Sequence, residues 1–102
     1  MSTVHLDAPY INGEAVIKRA TYPNGSTALL LESTTGESLA VATVALDVLP
    51  DDGNVFIKSW SENEGLLDSL QRAGVVGPVI RSVPTGFVSA QEVKVLVPLE
   101  GS

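Results

Sequence analysis

The side chains best suited to acid/base catalysis or cation binding lie around the single tryptophan of the sequence. Trp60 is followed by Ser61, Glu62 and Glu64, and Asp68 comes one helical turn after Glu64. Two carboxylates four residues apart share a helix face, as a general acid/base pair or a site for a hard cation requires. Two such acids are too few for a tight calcium or magnesium site, and helix acids at this spacing usually form a solvated face. We therefore predict no catalytic or metal-binding role for this segment.

Few other residues are candidates for catalysis or for binding a metal or nucleotide. Asp51-Asp52-Gly53-Asn54 is similar to a calcium-binding loop in composition only, because its acids are adjacent. His5 is the single histidine, and nothing marks Ser61 as an activated nucleophile beside a base. The sequence has no cysteine, no phosphate-binding loop and no dinucleotide fingerprint. These observations predict a protein that is not an enzyme and needs no metal or nucleotide cofactor.

The charge balance narrows the class of partner. Twelve acidic residues against six basic ones give a net charge of −6, and the basic residues are scattered. Binding to duplex nucleic acid relies on clustered lysine and arginine, so we expect none here. An acidic surface suits ordinary solubility, a basic protein partner, or mimicry of the charge of a nucleic acid.

Length and composition predict a single folded domain over residues 1–102. Of these 102 residues, 44% are hydrophobic and 18% charged, which is typical of a chain that folds on its own core. There is no apolar run of signal-peptide type and no segment long enough to span a bilayer. We therefore expect a cytoplasmic protein that has no contact with a membrane.

Turn signals predict an antiparallel sheet. Tyr22-Pro23-Asn24-Gly25 and Ser33-Thr34-Thr35-Gly36 are both typical of short hairpin loops, and the segments around them are strand-like. They predict a β-meander over residues 15–46, with further strands near 55–58 and 93–97. Residues 1–14 form either an edge strand or an N-terminal arm. The predicted class is α+β, an antiparallel β-meander sheet with one principal α-helix.

The principal helix is predicted over residues 62–73. Ser61 and Glu64 have the spacing of a capping box, and Gly74 is a natural left-handed end. Gly65 in the first turn is unfavourable by up to about 1 kcal/mol relative to alanine, which close packing against another segment would explain.

The middle strands of the meander are apolar on both sides. Leu29 and Leu31 point to one face, while Ala28 and Leu30 point to the other. Such a pattern predicts that both faces are covered. Because one helix covers only one face, the other must meet the N-terminal segment, the C-terminal strand, a second subunit or a partner.

Two aromatic residues have alternative interpretations. Trp60 is either a core anchor at the junction of strand and helix or an exposed binding hot spot. Phe87, which with Arg81 flanks the turn containing Pro84, either extends a binding patch or belongs to the core, and we favour the core for it.

Several segments together resemble a family of small bacterial proteins of unknown function found on plasmids and other mobile elements. The resemblance covers residues 26–90 and is carried by Leu39-Ala40-Val41-Ala42-Thr43-Val44, Val55-Phe56-Ile57-Lys58, Ser61-Glu62-Asn63-Glu64-Gly65, Ala73-Gly74-Val75 and Val83-Pro84-Thr85-Gly86-Phe87-Val88. It supplies no catalytic residue and implies a mobile-element setting. Small acidic proteins of such elements often block host defence by binding a nuclease complex.

The leading hypothesis is thus a non-catalytic, acidic protein-binding module of a mobile genetic element, an anti-CRISPR-like inhibitor of a host defence nuclease complex. One alternative is an accessory or assembly protein that forms a homo-oligomer through a sheet face, and another is a protein that binds or sequesters a small molecule. The loop and the helix start bracket the strand near 55–58, so we expect them to share one end of the domain. The predicted partner-binding residues are Asp51, Asp52, Trp60, Glu62, Glu64 and Asp68.

Overall fold

The computed structural model describes residues 3–98 and 100–101. They form two antiparallel sheets and a short helix, which confirms the predicted α+β class with a β-meander. The first sheet has the order β1 (Thr3–Asp7), β2 (Asn12–Thr21), β3 (Thr27–Ser33) and β4 (Ser38–Val41), and β8 (Glu100–Gly101) pairs with β2 in parallel. In the second sheet β7 (Val88–Lys94) lies between β5 (Asn54–Ile57) and β6 (Arg81–Thr85). The helical segments are a 3₁₀ turn, Ser61–Asn63, and α1, Leu66–Arg72.

Two glycine turns set the meander of β2, β3 and β4. Gly25 has a φ of 87°, and its N–H donates to the Tyr22 carbonyl at 2.9 Å. Gly36 repeats the arrangement with a φ of 90° and an N–H bond of 3.0 Å to the Ser33 carbonyl. Glycine adopts this left-handed conformation without steric conflict because it has no Cβ. The local turn chemistry therefore places the three strands as the sequence predicts.

Residues 42–44 join the two sheets. The Ala42 N–H donates to the Leu29 carbonyl in the first sheet at 2.9 Å. Two residues later, the Val44 N–H donates to the Phe56 carbonyl in the second sheet at 3.1 Å. The segment after β4 thus passes from the first sheet to the second, where Thr43 forms an isolated bridge with Ile57, and closes a corner of the two-layered β structure.

The core lies between the two sheets and α1. Leu29 and Leu31 are fully buried on its side of β3, whereas Leu30 on the outer face is half-buried and its cross-strand partner Val41 is 43% exposed. The inner face of β3 is thus covered, as predicted, whereas its outer face is covered only in part. The central cluster includes Leu6, Ile17, Leu29, Leu31, Val55, Ile57, Leu66, Leu70, Val75 and Val93.

Strand β1 lies at the edge of the first sheet and is fastened to α1. The Asp7 N–H donates to the Ser69 hydroxyl oxygen at 3.0 Å, and the Arg72 guanidinium donates to the Asp7 carboxylate at 2.6 Å. Of the two alternatives for residues 1–14, the structure therefore contains the edge strand. The strand predicted near 93–97 begins earlier, as β7.

The helix start differs from the prediction. Neither Ser61 nor Glu64 caps a helix through its side chain, and Ser61 itself has a φ of 58°, which is rare outside glycine. The 3₁₀ turn ends at Glu64, which is extended with a ψ of 131°, and Gly65 follows with a φ of 76°. This reversal interrupts the predicted helix over 62–73, so α1 begins only at Leu66. The predicted end at Gly74, with a φ of 76°, is observed.

Gly65 is required by a tertiary contact as well as by its φ. A Cβ built on Gly65 would lie 2.9 Å from Pro9 Cδ, whereas one built on Gly74, with the same φ of 76°, would meet nothing within 4 Å. We predict that Gly74→Ala lowers the free energy of unfolding by about 1–2 kcal/mol, the cost of a left-handed conformation. Gly65→Ala should lose at least about 1 kcal/mol more, because Pro9 must move. Urea denaturation of both variants measures the difference, and equal losses would contradict the role given to Pro9.

Candidate functional site

The predicted acids do not form one cluster. Asp51 and Asp52 precede β5, whereas Glu62 and Glu64 follow it, so the two groups lie at opposite ends of that strand. Asp68 lies in α1. The expectation that the loop and the helix start share one end of the domain is therefore wrong, because β5 runs between them.

Most of the acids near the helix start already have basic partners. Glu62 accepts a hydrogen bond from the Lys58 ammonium at 2.6 Å, and this bond, with further ones from its own backbone N–H and Ser61, lowers the Glu62 pKa to about 2. Asp68 accepts a bond from the Arg72 guanidinium at 2.8 Å. None of the ion pairs found among the described residues includes Glu64. Much of the negative charge of this region is thus compensated locally.

Trp60 lies between the two predicted alternatives, because its side chain is half-buried. The segment that follows it is fastened by Asn63, which is buried. The Asn63 amide nitrogen donates to the Val41 carbonyl at 2.8 Å and to the Lys58 carbonyl at 3.2 Å. These bonds give the segment a structural role, holding the end of β4 beside the end of β5.

A different surface is formed by the segment of residues 44–53, here called the acidic loop. It crosses the face of the second sheet that points away from the core. Asp47, Asp51 and Asp52 are exposed on it, together with the apolar side chains of Val48 and Leu49. The ion pairs of the described residues include none of these three acids. The loop therefore presents uncompensated negative charge beside apolar surface.

Glu92 in β7 anchors the acidic loop to the sheet. Its side chain is 1% exposed, and its Oε2 accepts hydrogen bonds from the Asp51 N–H at 2.9 Å and the Asn54 amide at 2.7 Å. Its Oε1 accepts one from Arg81 Nε. Burial raises the pKa of Glu92, but these three donors outweigh burial and hold the pKa below its usual range. An ionised carboxylate thus fixes the base of the loop.

Arg81 also holds the acidic loop on the second sheet. Its guanidinium donates to the Leu49 carbonyl at 3.2 Å and lies 5.7 Å from the centre of the Phe56 ring. Phe56 is 2% exposed and packs on the outer side of the second sheet, beneath the loop. The arginine therefore joins the loop backbone, the buried glutamate and the ring. A loop held in this way keeps its exposed acids in a fixed arrangement.

The hairpin of β6 and β7 places an aromatic side chain in solvent. Thr85 pairs with Val88, so Gly86 and Phe87 form a two-residue turn, and Gly86 has a φ of 75° at its first position. The relative exposure of Phe87 is 110%, so no neighbour covers it. The prediction that Phe87 belongs to the core is wrong, because Pro84, which the sequence places in the turn, belongs to β6 and Phe87 itself lies in the turn.

The hairpin and the acidic loop border the same groove. Asp47 and Val48 line one side of it, and Thr85 and Gly86 line the other, which brings the Phe87 turn next to the loop. We call the exposed members of both segments the loop–hairpin surface: Asp47, Val48, Leu49, Asp51, Asp52 and Phe87. Of these residues, Asp51 and Asp52 were predicted from the sequence. Glu92 was missed, because its neighbours Gln91 and Val93 do not distinguish it from an acid on the solvent face of a strand.

The loop–hairpin surface offers charge and apolar contact. Over residues 3–98 and 100–101, no group of three or more histidine, cysteine, aspartate or glutamate side chains is placed to hold a metal ion. In the same part of the chain, no helix combines the length and the apolar character needed to cross a bilayer. The arrangement suits the docking of another macromolecule.

Comparison with known proteins found no match to a family model, to a curated protein or to a solved structure.

Proposed function

We propose that this chain is a non-catalytic protein-binding module that attaches to a basic protein through its loop–hairpin surface. The observation that carries the proposal is the set of exposed, unpaired acids Asp47, Asp51 and Asp52 on a loop fixed by the buried Glu92. Charges on a fixed loop lose little entropy on binding, and complementary charge speeds the encounter with a partner.

A nucleic acid is a poor partner for this surface, because its phosphates would face the same negative charge. A basic protein groove fits it better. The resemblance to plasmid and mobile-element proteins supports a narrower proposal, in which the target is a host defence nuclease complex and the acids occupy a groove that otherwise holds nucleic acid. Such an anti-CRISPR-like inhibitor would act in the cytoplasm.

Self-association for assembly is the second candidate function. It is favoured by the outer face of the first sheet, where Leu30 is half-buried opposite the 43% exposed Val41. Sedimentation velocity of the purified chain tests it. A monomer up to about 100 μM would argue against assembly through this face, since a dimer with a Kd of 1 μM would be populated well below that concentration.

The binding proposal is tested by charge reversal. Asp51→Lys with Asp52→Lys changes the net charge from −6 to −2, since each substitution adds two charges. With the target recovered by pull-down from nuclease-treated host lysate and then purified, we expect association about tenfold slower or more at low salt. The difference from wild type should narrow in high salt, because salt screens exposed charges. Surface plasmon resonance at two salt concentrations measures both effects.

The matched control is Glu14→Lys with Glu37→Lys, which makes the same change in net charge at exposed positions of the first sheet and its turn. It should slow association much less than the loop variant does. Glu64→Lys separately tests the helix start, where the ion pairs of the described residues include Glu62 and Asp68 but not Glu64. Equal effects of the loop variant and its control would mean that only the net charge matters. A dominant effect of Glu64→Lys would move the interface to the helix start.

A further inference from the structure

We infer that Phe87 is the anchor of this interface and inserts into an apolar pocket that is bordered by lysine or arginine on the partner protein. The inference rests on the proposed function and specifies its contact. Its starting point is the contrast between the two phenylalanines of the chain: Phe56 is 2% exposed, and Phe87 is 110% exposed. A ring exposed as Phe87 is contributes nothing to the stability of its own protein.

The turn fixes the position of the backbone that carries the ring. Gly86, with a φ of 75°, and the pairing of Thr85 with Val88 define the two-residue loop, and antiparallel pairing continues down the hairpin to Arg81. Arg81 is itself bonded to the buried Glu92. A rigid aromatic side chain with only two side-chain torsions loses little entropy on insertion, which is why such residues dominate binding hot spots.

The edge of the hairpin is less suited to binding than its tip. Strand β6 is an edge strand of the second sheet, and it contains Pro84. Proline has no N–H to donate, so the free edge lacks one of the donors that a partner strand would need. Recognition by side-chain insertion at Phe87 is therefore favoured over extension of the sheet.

The negative charges of the loop–hairpin surface favour a basic protein as the partner. Asp47 lies across the groove from the hairpin, and Asp51 and Asp52 lie farther along the loop, beside the turn between β2 and β3. Anionic lipid headgroups would repel these acids, which argues against insertion of the ring into a bacterial-type membrane. A symmetric contact with a second copy would place the same acids opposite one another, so self-association at this surface is also disfavoured. A pocket bordered by lysine or arginine has no such conflict.

Phe87→Ser tests the inference on the full chain with the purified target. We expect affinity to fall by about 30-fold or more, the effect of removing a hot-spot side chain, with most of the loss in a faster dissociation rate. The loss should persist in high salt, unlike that of the Asp51→Lys, Asp52→Lys variant. Phe87→Trp should restore much of the affinity. Tyr10→Ser is the matched control, since Tyr10 is a 70% exposed aromatic residue outside the loop–hairpin surface. It should bind as wild type does.

The outcomes separate the inference from the function on which it rests. Wild-type affinity in Phe87→Ser with weakened binding in the loop variant would overturn the anchor and leave the function standing. Wild-type affinity in both variants would overturn both. Binding to phosphatidylcholine or phosphatidylglycerol vesicles that is lost in Phe87→Ser would assign the ring to lipid, and a wild-type dimer that dissociates in Phe87→Ser would assign it to a second copy. Either result would refute the inference. An unchanged melting temperature in Phe87→Ser establishes that the variant is folded.

Discussion

Phe56→Ala is expected to lower the free energy of unfolding by about 3–5 kcal/mol, which is typical of truncating a buried phenylalanine. Phe56 is 2% exposed and contacts the Arg81 guanidinium at 5.7 Å from the ring centre, under the acidic loop. Small domains have only about 5–15 kcal/mol of total stability, so the variant should be close to unfolding. Phe87→Ala deletes an identical ring that is exposed to solvent, and it should change the free energy of unfolding by less than about 0.5 kcal/mol.

Guanidinium denaturation followed by the fluorescence of Trp60 measures both variants under the same conditions. The two substitutions are chemically identical, so their difference depends only on where each ring lies. A loss of more than about 1 kcal/mol in Phe87→Ala would show that the ring packs on the protein in solution. That result would contradict the exposed hairpin tip and, with it, the anchor proposed for the partner.

Glu92→Gln should lower the free energy of unfolding by about 2–3 kcal/mol, because it removes charge-assisted hydrogen bonds from a buried site. The carboxylate accepts from the Asp51 N–H, the Asn54 amide and Arg81 Nε, and a glutamine amide presents only one acceptor oxygen to these donors. The loss is smaller than the 3–5 kcal/mol expected for a fully buried pair, since Arg81 is 46% exposed and stays hydrated. Chemical denaturation measures it.

The same residue predicts a pH dependence. The pKa of Glu92 is lower in the folded state than its ordinary value of 4.5, so its stabilising effect is present above that value and is lost as the pH falls through the folded pKa. Below pH 4.5 the wild type should therefore lose stability more steeply than Glu92→Gln. Parallel pH profiles of the two proteins between pH 6 and pH 3 would contradict the role of the ionised carboxylate.

The features that were predictable from the sequence are those set by local chemistry. Gly25 and Gly36 each end a short turn between strand-like segments, so the β-meander follows from residues close together in the chain. Gly74 likewise ends α1 where the sequence places the end. At each position a left-handed glycine is both visible in the sequence and sufficient to produce the turn.

The features that were not predictable depend on distant contacts or on the position of a strand within its sheet. The Ser61–Glu64 pattern indicates a capping box, but Gly65 packs against Pro9, more than fifty residues away, and the helix starts after it. In the β6–β7 hairpin, the sequence predicts a turn containing Pro84, but Pro84 belongs to β6, because an edge strand tolerates proline. The turn is Gly86-Phe87, so Phe87 lies at the tip, where no neighbour covers it.

The most direct test of the account is hydrogen–deuterium exchange of the chain with and without its purified target. We expect the target to slow amide exchange in residues 44–53 and 85–88. Exchange at the helix start, residues 61–68, and in β4 should be the same in both states, since neither belongs to the loop–hairpin surface. Protection confined to residues 61–68, or to the strands of the first sheet, would contradict the proposed interface.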